Sequence, residues 1–207
     1  REQDVDQLID RARLRFGRVD VMFANAGFGF SCPVDQTPMD LAREIFEVNF
    51  WGTFRCVKAA AAVMREQGAG HIVICTSAAS EVGLPNYGFY AATKAAQDSL
   101  AGAMRAELAE AGIDVTSVHP IGTQTQFGDV VDQKSPGARS SVPNTPGAMV
   151  QSADYVADAI VAALADARPE VWPSVSTRWF LAAGTAVPRL AAWVNKRLIY
   201  DRQQRGQ

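Results

Sequence analysis

The sequence predicts an α/β fold in which helices cover both faces of a parallel sheet, giving three layers. Three short apolar runs, each followed by turn residues, have the length and composition of buried strands. Stretches with helical periodicity separate these runs, and this alternation indicates right-handed crossovers within one sheet. With 207 residues, 48% of them apolar, the chain is long enough for one domain with a substantial core.

The first half of the chain holds two predicted helices and two predicted strands. Gly17 ends the first helix, because apolar residues recur at helical spacing up to that point. In the second helix we expect Thr37 as the N-cap, Pro38 at the first helical position and Gly68 past the end. In chain order these elements are helix 5–16, strand VDVMFA (19–24), helix 37–68 and strand HIVICTS (71–77).

The second half repeats the alternation and then changes character. Pro120 stops the third strand, and Ser152 is the expected cap of a later helix. Residues 124–150 are rich in Gly, Pro, Ser and Asn, which is typical of a long functional or disordered loop. One domain is expected over residues 1–176, followed by an amphipathic helical tail at 177–207. The remaining elements are helix 87–112, strand 113–120, helix 152–167 and strand 170–174.

Charge, cysteine and histidine content argue against several functional classes. The net charge of −2 provides no electrostatic basis for nucleic-acid binding. Cys32, Cys56 and Cys75 lack CxxC spacing, so we expect buried free thiols in a reducing, cytoplasmic compartment. His71 and His119 have no ligand-like spacing, so no metal site is expected. His119 precedes a proline and is interpreted as a strand-end residue rather than a catalyst.

Residues that could take part in binding or catalysis follow each of the three predicted apolar strands. Ligands of parallel sheets bind beyond the carboxyl ends of the strands, where NAG (25–27), TSAAS (76–80) and PIGT (120–123) should converge. Tyr90 and Lys94 lie four residues apart in a predicted helix, so their side chains emerge on one face. A neighbouring ammonium favours the phenolate and lowers the phenol's pKa from about 10, which suits proton transfer. The alternative is a partly buried tyrosine beside a solvated lysine.

Asn49 and Ser77 are two further candidates. Asn49 lies in the middle of the predicted long helix, where an amide side chain is a poor helix former and needs a reason. Ser77 ends a strand 13 residues before Tyr90. A kink-forming role for Asn49 and a turn-capping role for Ser77 are the structural alternatives. Thr76 and Ser80 are alternatives to Ser77.

In this order the motifs resemble those of the short-chain dehydrogenase/reductase family. The resemblance covers about residues 1–175 and implies a Rossmann-like, doubly wound sheet. It implies an oxidoreductase that interconverts a hydroxyl and a carbonyl group with NAD or NADP. It also implies Tyr90 as general acid/base, Lys94 as its partner, Ser77 as the group that binds the substrate oxygen, and Asn49 as anchor of a proton-relay water. The matching motifs are NAG, Asn49, Ser77, the YxxxK of Tyr90 and Lys94, and PIGTQT.

The same resemblance assigns two backbone segments to the cofactor. One would pass close to the adenosine ribose, and the other, ending at Thr123, would offer backbone groups to the carboxamide. Lys94 would in addition bind the nicotinamide ribose hydroxyls. The alternative for Gly27 is a simple turn glycine. Together with Tyr90 and Lys94, the expected cofactor contacts are Asn25, Ala26, Gly27, Pro120, Ile121, Gly122 and Thr123.

One family feature is absent from the sequence, namely the strand and TGxxxGxG turn that bind the pyrophosphate. GFGF (27–30) is a decoy, because it lacks the remaining glycine. We expect an N-terminally truncated fold that lacks about two βαβ-type segments. At about 30 residues per segment, this corresponds to roughly 50 to 60 residues. Such a chain should bind dinucleotide poorly on its own, and strand 19–24 should be an unprotected apolar edge. The alternatives to an active enzyme are a non-catalytic binding or scaffold subunit and an inactive fragment.

Substrate and partners are predicted from apolar residues. Phe28, Phe30, Phe89 and Phe127 flank the predicted crevice and favour an apolar alcohol or ketone substrate, with ordinary core packing as the alternative. Segment 124–150 would be the substrate lid. In the family the two long helices form a four-helix interface between subunits, which implies a homo-oligomer.

The tail at 177–207 combines six Lys and Arg residues with a single acid, Asp201, and apolar residues at near-helical intervals. A basic amphipathic helix of this kind can lie on an anionic membrane surface, which would make the protein membrane-peripheral. The alternative that we favour is packing against the domain or across a subunit interface.

Overall fold

The structure is a computed structural model, which describes residues 1–136 and 150–186. Within these ranges the helices are α1 Glu2–Phe16, α2 Met39–Ile45, α3 Gly52–Gln67, α4 Gly88–Leu108, α5 Phe127–Lys134, α6 Ala153–Ala165 and α7 Val175–Ala186. The strands are β1 Val21–Ala24, β2 Gly70–Cys75, β3 Ile113–Val118, β4 Thr123–Gln124, β5 Gln151–Ser152 and β6 Glu170–Val171.

Four strands form one parallel sheet in the order β1–β2–β3–β6, which confirms the predicted fold class. β1 pairs with β2 from Val21 opposite His71 to Ala24 opposite Ile74. Because all four strands run in the same direction, their carboxyl ends meet at one edge of the sheet. Among the described residues β1 has no partner on its outer side, and the side chains of Val21 and Phe23 are each 41% exposed. The predicted apolar edge strand is therefore present.

Helices lie on both faces of this sheet. The alternation of β2 separates two cores, because Ile72 and Ile74 face α1, α3 and α4, whereas Val73 faces α6. The larger core also contains Ile9, Met22, Val57, Met64, Met104 and Val115. The smaller core contains Val73, Val118, Ala163 and Val171.

The predicted helix 37–68 is not one regular helix. A π-helical turn at Phe46–Trp51 joins α2 to α3 and carries Asn49, and such turns are frequent at functional sites. Thr37 does not cap the helix, because its hydroxyl donates to the Pro33 carbonyl at 2.9 Å and α2 begins only at Met39. The predicted end is confirmed, since Gly68 lies in the left-handed region with φ 68°.

The predicted loop 124–150 contains regular structure, and its residues 137–149 lie outside the described residues. α5 buries Val131 completely, and β4 pairs with β5 in parallel. The strand predicted at 170–174 ends at Val171, two residues before Pro173, which cannot donate to a ladder. The predicted cap of α6 is confirmed, because Ser152 Oγ accepts from the Tyr155 N–H at 3.2 Å.

The boundary expected between residues 176 and 177 falls in the first turn of α7, which begins at Val175. Arg178 pairs with Glu170 at 3.2 Å, while Trp179 is 70% exposed. Residues 187–207, which carry the other basic residues of the predicted tail, lie outside the described residues. Within the described ranges, none of the helices has the length and apolar character needed to cross a membrane.

Candidate active site

Three turns meet at the carboxyl edge of the sheet. The exposed residues 25–27 follow β1, Ser77 follows β2, and residues 120–123 follow β3. The Ala78 N–H donates to the Pro120 carbonyl at 3.0 Å, which ties the second turn to the third. The structure thus brings the predicted turns together at one edge.

Tyr90 and Ser77 lie close together. Tyr90 lies in the first turn of α4, and the Ser77 hydroxyl is near enough to the Tyr90 phenol to act on its pKa in the lowering direction. Ser77 lies two residues beyond the end of β2, not within the strand as predicted, and its Oγ also accepts from the Ala79 N–H at 3.1 Å. Ser77 is therefore a turn cap and a partner of Tyr90 at once. The alternative Thr76 is occupied elsewhere, since its hydroxyl donates to the Val118 carbonyl at 2.6 Å.

Lys94 lies one turn further along α4 and is only 4% exposed. Its Nζ donates to the Cys75 carbonyl at 2.7 Å and lies 5.7 Å from the centre of the Tyr90 ring. Burial lowers the pKa of Lys94, because the charged form loses its hydration, and the nearby Cys75 thiol opposes this. A buried ammonium with a carbonyl partner retains donors for a further ligand.

The pKa of Tyr90 differs from the sequence-based prediction. We expected Lys94 to lower it, whereas burial raises it well above the ordinary value. The hydrogen bond from Ser77 acts in the lowering direction but is the weaker influence. Without cofactor, Tyr90 is therefore a neutral phenol, which can donate its proton. Lowering of the pKa by Lys94 together with the positive charge of an oxidised nicotinamide stays a prediction for the chain with cofactor bound. Desolvation of Tyr90 is a tertiary property that local spacing does not contain.

Asn49 is completely buried, and both the oxygen and the nitrogen of its side-chain amide have hydrogen-bond partners. Its Oδ1 accepts from the Phe28 N–H at 2.9 Å, and its Nδ2 donates to the Phe28 carbonyl at 2.9 Å. Nδ2 also donates to Thr93 Oγ1 at 3.0 Å, and the Asn49 carbonyl accepts from Gln97 Nε2 at 2.7 Å. The amide therefore fastens the segment after β1 to the π turn and to α4.

Two glycines let the segment after β1 approach the site closely. A Cβ at Gly27 would lie 3.1 Å from Asn49 Oδ1 and 3.5 Å from Lys94 Nζ, so Gly27 serves close approach rather than an unusual turn angle. A Cβ at Gly29 would lie 2.8 Å from Phe127 Cζ and 3.3 Å from Tyr90 Cδ2. Gly29 was not among the predicted site residues, because GFGF resembled only an incomplete glycine turn and the residues that Gly29 contacts are far from it in the chain.

The turn after β3 uses part of its backbone internally. The Gly122 carbonyl accepts from the Gln151 N–H at 2.9 Å, and Thr123 pairs with Gln151 in the small second sheet. Thr123 Oγ1 donates to the Ile121 carbonyl at 3.2 Å. Pro120, Ile121, Gly122 and Thr123 are all partly exposed next to the Ser77 turn.

The four phenylalanines are not equivalent. Phe28 and Phe30 are buried in a core formed with Ile45, at 8% and 1% exposure, which matches the core-packing alternative. The Phe89 ring packs against Phe30 with centroids 6.3 Å apart. Phe127, at the start of α5, is the ring that packs directly against Tyr90, with centroids 5.4 Å apart.

These residues fit the nicotinamide end of a dinucleotide. Lys94 has donors to spare beside the exposed backbone of residues 25–27, and a side chain at Gly27 would narrow the space between them. Within the 207 residues given there is no TGxxxGxG turn for the pyrophosphate. The donors described here suit the ribose and the nicotinamide.

A parallel sheet with a Ser–Tyr–Lys cluster at its carboxyl edge defines an α/β protein of the dinucleotide-binding type. The sequence model of the short chain dehydrogenase family matches residues 1–136, and the chain belongs to that family. The predicted resemblance is thereby confirmed.

Individual relatives agree with this assignment. The chain is 34% identical over 126 residues to a short chain aldehyde dehydrogenase 1 of Euphorbia lathyris, which covers 60% of this chain and 44% of that protein. An acetoin dehydrogenase of Salmonella typhimurium superposes with TM-score 0.67 at 30% identity, covering 81% of this chain and 68% of that one. An alcohol dehydrogenase of Thermococcus sibiricus, complexed with 5-hydroxy-NADP, superposes with TM-score 0.69 at 26% identity, covering 83% of this chain and 69% of that one. The chain thus spans less than half of the curated relative's length.

Proposed function

We propose that this chain carries the catalytic half of an NAD- or NADP-dependent oxidoreductase that interconverts a hydroxyl and a carbonyl group. The observation that supports it best is that Ser77 and the buried Lys94 both lie beside Tyr90, with Lys94 Nζ 5.7 Å from the centre of the Tyr90 ring. Short-chain dehydrogenase relatives, one of them solved with an NADP derivative, support the cofactor class.

Each proposed role follows from the chemistry of the side chain. The cofactor supplies or accepts the hydride when it is bound. Tyr90 carries its phenolic proton at neutral pH and donates it to the substrate oxygen during reduction, although the desolvation that raises its pKa makes it a weaker acid than a free phenol. Ser77 holds that oxygen by a second hydrogen bond. Lys94, with two protons beyond the one given to the Cys75 carbonyl, binds ribose hydroxyls and favours the phenolate that remains.

Asn49 and the two backbone turns have supporting roles in this proposal. Asn49 fixes the segment after β1 through Phe28 and anchors the water that returns protons towards Lys94. Asn25, Ala26 and Gly27 line the ribose side of the cofactor. The carboxamide side is lined by the turn after β3, which consists of Pro120, Ile121, Gly122 and Thr123.

An apolar alcohol or ketone is the substrate class that we propose. Phe127 lies against the Tyr90 ring, so a substrate oxygen that reaches Tyr90 brings its carbon skeleton next to an aromatic face. Of the four candidate phenylalanines, this is the one whose position supports a contact with substrate.

A homo-oligomer through the two long helices is also proposed. Most residues that line the groove between α3 and α4 are apolar. The charged residues Lys58, Arg65 and Glu107 also line it. At its end Phe54 is 37% exposed and its ring lies 6.1 Å from that of Trp51, which is 45% exposed. An exposed apolar strip of this kind is typical of a surface that another subunit covers. We propose no nucleic-acid partner, and peripheral membrane contact by the tail stays a prediction.

A second candidate is a non-catalytic binding or scaffold subunit. This candidate takes account of the fact that the 207 residues given contain no TGxxxGxG turn to bind the pyrophosphate of a dinucleotide. The two candidates differ in whether Tyr90 takes part in any hydride transfer.

The test is reduction of an apolar ketone by the 207-residue chain, followed by NADPH and NADH absorbance at 340 nm. Because phosphate contacts are weak, we expect a rate that rises linearly with cofactor concentration into the millimolar range. The rate should disappear in Tyr90→Phe and persist in Tyr155→Phe, a matched change at a residue that is 54% exposed. Equal rates in wild type and Tyr90→Phe would refute the enzyme proposal and favour the scaffold.

A further inference from the structure

His119 is a fully buried polar residue that the proposed reaction does not use, at 1% exposure. Its ring stacks on Trp172, with centroids 4.2 Å apart and planes 4° apart. Its Nε2 lies 3.3 Å from Asp98 Oδ1 and 3.1 Å from Ser117 Oγ. Its Nδ1 lies 3.3 Å from Ser80 Oγ, so both ring nitrogens contact polar side chains.

The two sides of His119 connect to the two halves of the candidate site. Asp98 lies on α4 four residues after Lys94 and eight after Tyr90, so all three share one stripe of the helix. Ser80 lies in the turn that begins at Ser77, and its N–H donates to the Ser77 carbonyl at 2.9 Å. The single proton of its hydroxyl is shared among the Ser77 carbonyl at 2.8 Å, the Glu81 carboxylate at 3.2 Å and His119 Nδ1 at 3.3 Å. His119 thus spans from the helix that carries the tyrosine to the turn that carries the serine.

The negative charge of Asp98 determines which ring nitrogen of His119 carries the proton. Burial raises the pKa of Asp98, but hydrogen bonds and charge from His119, with smaller help from Ser117 and Arg105, lower it below its ordinary value. The carboxylate is therefore ionised and only accepts hydrogen bonds, so His119 Nε2 carries a proton and donates it. A charge-assisted bond of this kind holds the ring more firmly than a neutral pair does.

We propose that His119 is a positioning residue, which bridges Asp98 and Ser80 and so keeps the Ser77 hydroxyl within hydrogen-bonding distance of Tyr90. The geometric part concerns the folded chain alone, whereas its consequence for reaction rate rests on the proposed function. A displacement of about 1 Å at a reacting group can cost about 100-fold in rate, so a fixed Ser77 matters to catalysis.

The decisive experiment observes Tyr90 without any cofactor. Tyrosine labelled with ¹³C at Cζ reports hydrogen bonding of its hydroxyl, and Tyr90→Phe assigns the resonance. His119→Phe keeps an aromatic ring against Trp172 but removes the three polar contacts, with Asp98, Ser117 and Ser80. We expect it to move the Tyr90 resonance in the same direction as Ser77→Ala and by at least half as much. His71→Phe is the matched control, since His71 is also buried but bonds Thr116 at the opposite end of the sheet.

A second variant covers the case in which His119→Phe fails to fold. Ser80→Ala removes the contact with His119 together with the bonds from the Ser80 hydroxyl to the Ser77 carbonyl and to Glu81, and we expect the same direction of resonance shift. In the ketone assay Ser80→Ala should lower the Tyr90-dependent rate by roughly 10- to 100-fold with an unchanged dependence on cofactor concentration. A Tyr90 resonance that stays at its wild-type position in folded Ser80→Ala overturns the inference. If wild type shows no Tyr90-dependent rate, the proposed function fails while the resonance still decides the positioning role.

Discussion

Replacing Asn49 by alanine tests the contact that joins the segment after β1 to the rest of the site. The Asn49 amide forms a two-bond ring with the backbone of Phe28, both bonds 2.9 Å long, in a fully buried position. Alanine cannot replace either bond. The N–H and carbonyl of Phe28 would then be buried without partners, unless water enters.

The expected loss follows from these two groups. A buried backbone donor or acceptor left unsatisfied costs about 1–3 kcal/mol, so Asn49→Ala should lower the free energy of unfolding by roughly 2–6 kcal/mol. The bond from Nδ2 to Thr93 Oγ1 is lost as well, although a hydroxyl can turn towards another partner. Against a typical total of about 5–15 kcal/mol, the variant should still fold but with a clearly reduced margin.

Urea denaturation followed by circular dichroism measures this difference. The matched control is Asn25→Ala, because Asn25 is exposed at the end of β1 and its replacement should change stability by less than about 0.5 kcal/mol. A loss below about 1 kcal/mol for Asn49→Ala, with an unchanged dependence on urea concentration, would refute the reasoning, because the Phe28 backbone would then not depend on the amide.

Three further predictions concern other parts of the site. Burial lowers the pKa of Lys94 in the folded chain below its value of 10.5 in the unfolded chain. At a pH between the folded and the unfolded pKa, the unfolded chain binds more protons than the folded chain. Lys94 therefore destabilises the fold most at lower pH, and this cost falls as the pH rises. The stability of Lys94→Met relative to wild type, measured with urea, should therefore decline from pH 7 to pH 10, and a rise would contradict the sign. Gly29→Ala must displace Phe127 from Tyr90 and should lower the Tyr90-dependent rate at least tenfold, whereas Gly128→Ala, with open space around its Cβ, should leave that rate unchanged. Phe54→Asp in the apolar strip between α3 and α4 should convert an oligomer to monomer in analytical ultracentrifugation, and an unchanged mass would exclude that surface as the interface.

The strands and the order of elements were predictable, because buried strands are short apolar runs and the long helices have strong periodicity. The family followed from motif order, in which NAG, Asn49, Ser77 and YxxxK each occupy the expected place. α5 was not predictable, since eight residues in a stretch rich in glycine and proline provide too little periodic signal.

The sequence predicted a set of residues for the candidate site but not the energies of its groups. The proximity of Ser77 and Tyr90 agrees with the family spacing, while the raised pKa of Tyr90 comes from desolvation by segments distant in the chain. The partner of Asn49 is the backbone of Phe28, 21 residues earlier, and no local pattern identifies a backbone partner at that distance. The His119 bridge depends likewise on Asp98 and Ser80, which lie on different elements.

The two adjacent stripes of α4 have a consequence for how this chain tolerates genetic change. Tyr90, Lys94 and Asp98 occupy one stripe, and Thr93 and Gln97, which hold Asn49, occupy the next. Inserting or deleting one residue between them would rotate everything downstream by about 100°. A single substitution disrupts one contact at a time, whereas a one-residue insertion or deletion within α4 would disrupt several contacts together. We therefore expect variation in length only in the turns before Gly88 and after Leu108.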